Sequence, residues 1–206
     1  MANSITRLRC GSANAYLIGG QGGSILVDTG TGRYKDKVLC ACKGMSVKLI
    51  VLTHGHFDHC QNAAYLAGAL GCPVGIGEAD IPLLEVGLKR RVSGKGAWGS
   101  FYAWAANRNI ENKNIPHRKA DVILKQGTDL LPYGVDGKII ALPGHTAGSV
   151  GVWLSSGELF VGDAMQNIGT PLPAWCYEDC ESAAESVRKI RELQASKVYF
   201  GHGKHR

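Results

Sequence analysis

Short apolar runs alternate with glycine through the first third of the chain. Residues 5–10, 14–18, 24–28 and 48–52 each have the β-branched and aliphatic content of a strand, and Gly-rich turns divide them. The period then changes. Residues 60–70 place alanine and leucine at helical spacing, and Gly71 and Pro73 follow as a helix C-terminus requires. A short strand is expected at 74–77. Residues 81–119 are mostly helical or irregular and read as an insertion or lid. Strands return at 122–124, 138–142, 149–154 and 158–161, followed by a helix over about 178–194 and a last strand at 197–200. Two strand-rich halves, each with helices, predict an α/β fold of αββα type, in which two packed sheets carry helices on their outer faces. At 206 residues the chain is read as a single domain, 1–206, with the insertion at about 81–119.

Composition narrows the class. With 45% hydrophobic residues, 19% charged residues and 28 glycines the chain reads as a loop-rich soluble globule without a membrane span. The first twenty residues lack the basic start and continuous apolar core of a secretory signal, so a cytoplasmic location is expected. Seven cysteines, an odd number, argue for reduced thiols. Neither the Cys40/Cys42 pair nor the Cys176/Cys180 pair has zinc-finger partners. Cys60 reads as a core residue.

The formal charge of +6 is concentrated. Lys89, Arg90, Arg91, Lys95, Arg108, Lys113, Arg118 and Lys119 face a single acid, Glu111, across residues 89–119. Trp98, Phe101, Tyr102 and Trp104 are interleaved with them. Such a segment either steers an anionic partner or is a solvated insertion. A small anionic molecule is favoured as partner over nucleic acid, no membrane contact is expected, and no signal for an oligomeric state is present.

The stretch VLTHGHFDHC, residues 51–60, carries the chemistry. It reads as strand, loop, helix, with Gly55 allowing a tight bend. Strand alternation sends His54 and His56 to one side, while Asp58 and His59 project into a neighbouring volume. Asp58 alone could be a helix N-cap, and a lone histidine an ordinary hydrogen-bonded residue. Together the four side chains fit a metal site of the imidazole and carboxylate type that zinc favours. Further donors recur in one setting, after an apolar strand and beside glycine: His145 in ALPGHTAGS, Asp163 in LFVGDA and His202 in VYFGHG. Strand ends opening onto loops at one sheet edge can present them to a shared cleft.

The segments THGHFDH, PGHTAGS, FVGDA and YFGHG resemble the successive motifs of the metallo-β-lactamase superfamily, in the branch of glyoxalase II, and the resemblance spans nearly the whole chain. It implies an αββα sandwich of two mixed sheets flanked by helices. It also implies that His54, His56 and His145 hold one divalent ion, that Asp58, His59 and His202 hold a second, and that Asp163 bridges them. The ions would be zinc, with iron or manganese also compatible. Asp28, in ILVDTG, matches a position that orients the ligand loop, or else serves a simple turn. The implied activity is that of a dinuclear metal-dependent hydrolase, in which a bridging hydroxide attacks a thioester or ester carbonyl of a small anionic substrate. Asp58 is a ligand first and a proton handler second.

Departures from the family patterns shape the substrate. The sequence runs four residues beyond His202, without the helical domain of glyoxalase II, which disfavours hydroxyacylglutathione. Asp163 and the missing export signal disfavour antibiotic hydrolysis. Gln166 stands where related lactonases carry tyrosine. The alternatives are a mononuclear iron persulfide dioxygenase using His54, His145 and Asp163, a lactonase, and an RNA-processing phosphodiesterase. His117 is assigned to the basic face, and His205 is a lesser alternative to His202. No serine triad or phosphate-binding P-loop is present.

Overall fold

The computed structural model describes residues 3–204. The chain opens with β1 (Ser4–Cys10), β2 (Ala13–Gly19) and β3 (Ser24–Val27), followed by α1 (Lys35–Cys42) and β4 (Val47–Val51). The short α2 (Phe57–Cys60), α3 (Ala63–Leu70), β5 (Val74–Gly77), α4 (Ile81–Glu85), α5 (Gly96–Asn112) and β6 (Val122–Leu124) complete the first half. The second half contains β7 (Gly137–Ala141), β8 (Val150–Leu154), β9 (Glu158–Phe160), β10 (Met165–Asn167), β11 (Pro171–Pro173), α6 (Cys180–Glu192) and β12 (Lys197–Tyr199).

Two mixed sheets result. The first has strand order β1-β2-β3-β4-β5-β6 and the second β12-β9-β8-β7, with β10 and β11 as a separate ribbon. β1, β2 and β3 pair antiparallel, and β3 through β6 pair parallel. In the second sheet β12 runs parallel to β9, while the other pairs are antiparallel.

Period-two alternation along each strand separates the side chains into layers. Leu17, Leu26 and Ile50 face outward against Val38 and Cys42 of α1 and Leu66 of α3. Ile18, Ile25 and Leu49 face the other way and meet Ile139, Val152 and Phe160 between the sheets. On the far side Ile140, Leu142 and Leu159 pack under Val187 and Ile190 of α6. Strands such as β2 and β3 are buried on both faces, which is why they read as continuous apolar runs. The architecture is the expected αββα sandwich.

The structure refines several expectations. The helix expected over 60–70 is two helices broken at residues 61–62, and Gly71 closes the second with φ of 64°. Helix α1 and the β10–β11 ribbon are additional to the expected elements. All seven cysteines are free, and Cys60 lies in the outer core. Among the described residues no helix is long and apolar enough to cross a membrane.

The basic segment is not uniformly solvated. Arg90 pairs with Asp80, whose side chain is fully buried, and with Glu178 at 2.9 Å. Arg91, by contrast, is an exposed partner of Glu111. Ser93 and Tyr177 exchange backbone hydrogen bonds of 2.7 and 2.9 Å, which tie the segment before α5 to the loop before α6.

Candidate metal centre

The loop after β4 delivers four donors because its backbone is held on both sides. The Asp28 carboxylate accepts from Thr53 N at 2.8 Å and from its hydroxyl, and also takes His59 Nδ1 at 2.8 Å. Asp28 itself sits at φ of 60°, a left-handed conformation uncommon for a residue with a side chain. Thr29 N, next in sequence, donates to His59 O at 2.7 Å. The orienting role of Asp28 is therefore visible in its contacts. Asp58 lies in the first turn of α2 but is not its cap, since His56 occupies that position. Gly55 is explained by crowding more than by bending: its N donates to Asp80 Oδ2 at 2.8 Å, and a Cβ there would lie 2.7 Å from the Cβ of Leu83.

Three groups of donors form, each within 4.8 Å: His54, His56 and His145; His54, His59 and Asp163; and Asp58, His59 and His202. All seven side chains singled out in the sequence are thus drawn together. Asp163 stands among them, its Oδ2 3.1 Å from His202 Nε2 and 3.7 Å from His145 Nε2, and its Oδ1 3.5 Å from His59 Nε2. Asp58 Oδ2 is 3.5 Å from His202 Nε2.

Outer partners fix which ring nitrogen is offered. His145 Nδ1 donates to Cys176 O at 2.8 Å and His202 Nδ1 to Ser12 O at 2.9 Å. The hydroxyl of Thr53, engaged with Asp28, accepts from His54 Nδ1 at 3.0 Å. With these protons placed, the Nε2 atoms of His54, His59, His145 and His202 turn inward, and a cation taken up at His59 or His202 displaces a proton. His56 instead presents Nδ1, 3.0 Å from His145 Nε2.

Buried polar atoms normally find a partner. His54 Nε2, His59 Nε2 and Asp163 Oδ1 are buried and have none. Neutral imidazoles and a carboxylate with unused lone pairs are the donor set that divalent cations take. Burial and the neighbouring histidines hold His54 and His56 well below the usual imidazole value, in the neutral form. Burial would push the Asp163 carboxyl up, but the adjoining His202 and His59 outweigh it and hold it well below the usual range. Burial acts on His202 in the lowering sense, and the Asp163 carboxylate overrides it, raising His202 to about 9. The residues present fit divalent metal ions.

The sequence profile of the Metallo-beta-lactamase superfamily matches residues 8–202. The chain belongs to this superfamily. Members bind divalent metals, and the donors described here are this member's candidate ligands. Among superfamily relatives, the "Beta-lactamase-like protein 2 homolog" of Caenorhabditis elegans is 28% identical over 92% of this chain and 55% of its own length. The chain therefore spans about half of that relative. The "Probable metallo-hydrolase MJ0888" of Methanocaldococcus jannaschii is 28% identical over 93% of this chain and 88% of its own. A solved structure of TTHA1623 in a di-iron-bound form superimposes with a TM-score of 0.68 at 27% identity, covering 98% of this chain and 93% of that one.

The candidate centre opens into a pocket of about 190 Å³ whose lining includes Phe57 and Tyr102. Its surroundings include groups that the motifs did not reveal. Asp80 receives Gly55 N, Gly148 N at 3.0 Å and the Thr146 hydroxyl at 2.7 Å, locking the His54 and His145 loops together. Asn14 and Tyr16 of β2 hold the His202 loop: the Asn14 amide donates to Phe200 O and Gly203 O, and the Tyr16 hydroxyl donates to Phe200 O at 2.7 Å. These contacts join positions far apart in sequence, so no local motif signals them. His117 is exposed, as expected of the basic face. His205 lies outside the described residues.

Proposed function

We propose that the chain is a dinuclear metal-dependent hydrolase acting on a thioester or ester carbonyl of a small substrate that carries negative charge. The observation that carries this reading is the place of Asp163 amid the donors, 3.7 Å from His145 Nε2, 3.5 Å from His59 Nε2 and 3.1 Å from His202 Nε2, while His54 Nε2, His59 Nε2 and Asp163 Oδ1 are buried without a hydrogen bond. His54, His56 and His145 would hold one cation, Asp58, His59 and His202 the other, and Asp163 would lie between. When bound, such a pair supplies Lewis acidity that acidifies water and polarises a carbonyl oxygen.

The protein's part is positional. Thr53, Asp28, Cys176 and Ser12 hold the Nδ1 protons of the four histidines that offer Nε2, so no donor must reorganise during turnover. Phe57 and Tyr102 give the pocket apolar lining beside the donors. Asp58, which lines the pocket, can pass a proton at Oδ2. In the overall change the oxygen of water bonds to the carbonyl carbon, the carbon–sulfur or carbon–oxygen bond breaks, and the departing thiol or alcohol leaves with a proton. Support for an acyl-carrying substrate comes from relatives such as the "Hydroxyacylglutathione hydrolase" of Rhodospirillum rubrum, 26% identical over 81% of this chain and 53% of its own. Support for negative charge comes from Lys89 and Lys113, which line a cleft of about 80 Å³ that shares His56 and Phe57 with the donor pocket.

Elemental analysis of the purified protein, followed by assay of the same sample against thioesters, lactones and phosphodiesters, tests the reading. The expected result is a pair of divalent ions per chain and thioester or ester turnover, both reduced in Asp163→Ala. Full metal content and activity in that variant would overturn it, as would a single iron with oxygen consumption on a persulfide.

A further inference from the structure

Beside the donor pocket lies a second, larger cavity of about 700 Å³. Trp98, Phe101 and Tyr102 of α5 form one wall, and Leu172, Pro173 and Trp175 form the other. Tyr102, Ala174 and Trp175 line both cavities, so the two are contiguous. The Tyr102 and Trp175 rings meet edge to face at 5.0 Å across the shared boundary. Lys95 is the only charged side chain in the lining.

This surface is unusual for a protein in water. Trp98 is 86% exposed and Phe101 60% exposed, although the inner side of α5 has Ala103 packed against Val92 and Cys176. Clustered apolar exposure of this kind marks a binding surface. The volume lies within the range of small-molecule pockets, roughly 300–1,000 Å³. The donor pocket, at about 190 Å³, has room for a reacting carbonyl but not for a chain attached to it. A single-stranded nucleic acid would find aromatic rings here but almost no cations for its phosphates.

We infer that the α5–β11 cavity binds the apolar acyl portion of the substrate, a medium-length aliphatic or an aromatic acyl group, with the adjoining carbonyl at the metal donors. The inference rests on the hydrolase reading and specifies its substrate. The acyl group enters between Trp98 and Leu172, passes the Tyr102–Trp175 boundary and leaves the charged part of the molecule toward the basic cleft.

Two measurements on the metal-loaded protein test it. The first is kcat/KM for straight-chain p-nitrophenyl esters from acetyl to decanoyl. Burial of each methylene is expected to raise kcat/KM by up to about fourfold until the cavity is filled. The second is calorimetric binding of octanoate against acetate, which share the carboxylate and differ only in the chain, so the ratio isolates the cavity. Octanoate is expected to bind more than tenfold tighter, with a negative heat-capacity change. Trp98→Ala and Leu172→Asp, both at exposed positions that leave the core intact, are expected to shrink that ratio while acetyl-ester turnover persists. Equal binding of octanoate and acetate overturns the inference. So does a flat chain-length profile in an enzyme that does cleave acetyl ester, and that outcome leaves the hydrolase reading standing. Absence of all ester and thioester turnover alongside chain-dependent binding overturns the hydrolase reading and keeps the apolar subsite.

Discussion

Gly201 shows how little space a single position can leave. A Cβ built there would stand 2.0 Å from Asp163 Oδ1 and 2.9 Å from His59 Cε1, inside the donor cluster itself. Gly201→Ala is therefore expected to lose bound metal, measured by elemental analysis, even where the variant still folds by circular dichroism. Asp28 acts one bond further out. Asp28→Asn keeps the shape but offers His59 Nδ1 a neutral acceptor, and metal affinity is expected to fall about 10–100-fold in chelator competition. The seven donors were legible in the sequence because each follows an apolar strand and stands beside or near glycine. Asp80 was not. Its partners are 25 residues away at Gly55 and 66 to 68 away at Thr146 and Gly148, and an aspartate in GEADIP advertises none of them. Cys176 was equally silent, because it contributes a backbone carbonyl, which any residue possesses.

Elements were read correctly where periodicity decided them and missed where tertiary contacts did. The run 60–70 has helical spacing throughout, yet it breaks because the Asn62 amide donates to Thr29 O, Gly30 O and Thr31 O instead of leaving the turn undisturbed. The sequence KDKVLCAC of α1 fully buries just Val38 and Cys42, with Leu39 and Ala41 partly buried beside them, too short a pattern to stand out. At the other end, Asp179 caps α6 by accepting from Glu181 N and Ser182 N. The Ser182 hydrogen bonds hold its carboxyl below the ordinary value of 3.8. A depressed carboxyl adds stability above that ordinary value and loses it as pH falls through its lower, folded value. Asp179→Ala is expected to lower the thermal midpoint at neutral pH, and the difference from the parent should vanish in strong acid. The basic segment is anchored by charge at Arg90. Arg90→Met strands the fully buried Asp80 without its cation, and a loss of about 3 kcal/mol is expected in urea unfolding.

At the scale of the whole molecule, the candidate centre lies across the joint between the sheets. His54, His56, Asp58 and His59 follow β4 of the first sheet, while His145, Asp163 and His202 follow β7, β9 and β12 of the second. Cations bound there would cross-link the two halves of the sandwich. Metal at about 100 times its dissociation constant is expected to stabilise the fold by about 2.7 kcal/mol, and a chelator should lower the melting temperature accordingly in calorimetry. The αββα layering was legible because two strand-rich halves each bring helices, but the way the sheets meet depends on long-range pairing. The hold of Asn14 and Tyr16 on residues 200–203 is the extreme case, since it joins the second strand to the last donor loop. During synthesis β2 can ladder to β1 and β3 early, but the Asn14 amide and Tyr16 hydroxyl have their acceptors at Phe200 O and Gly203 O only after residues 200–203 are made. Asp58 and His59 therefore wait for their His202 counterpart until that segment is made, whereas His54, His56 and His145 precede it along the chain.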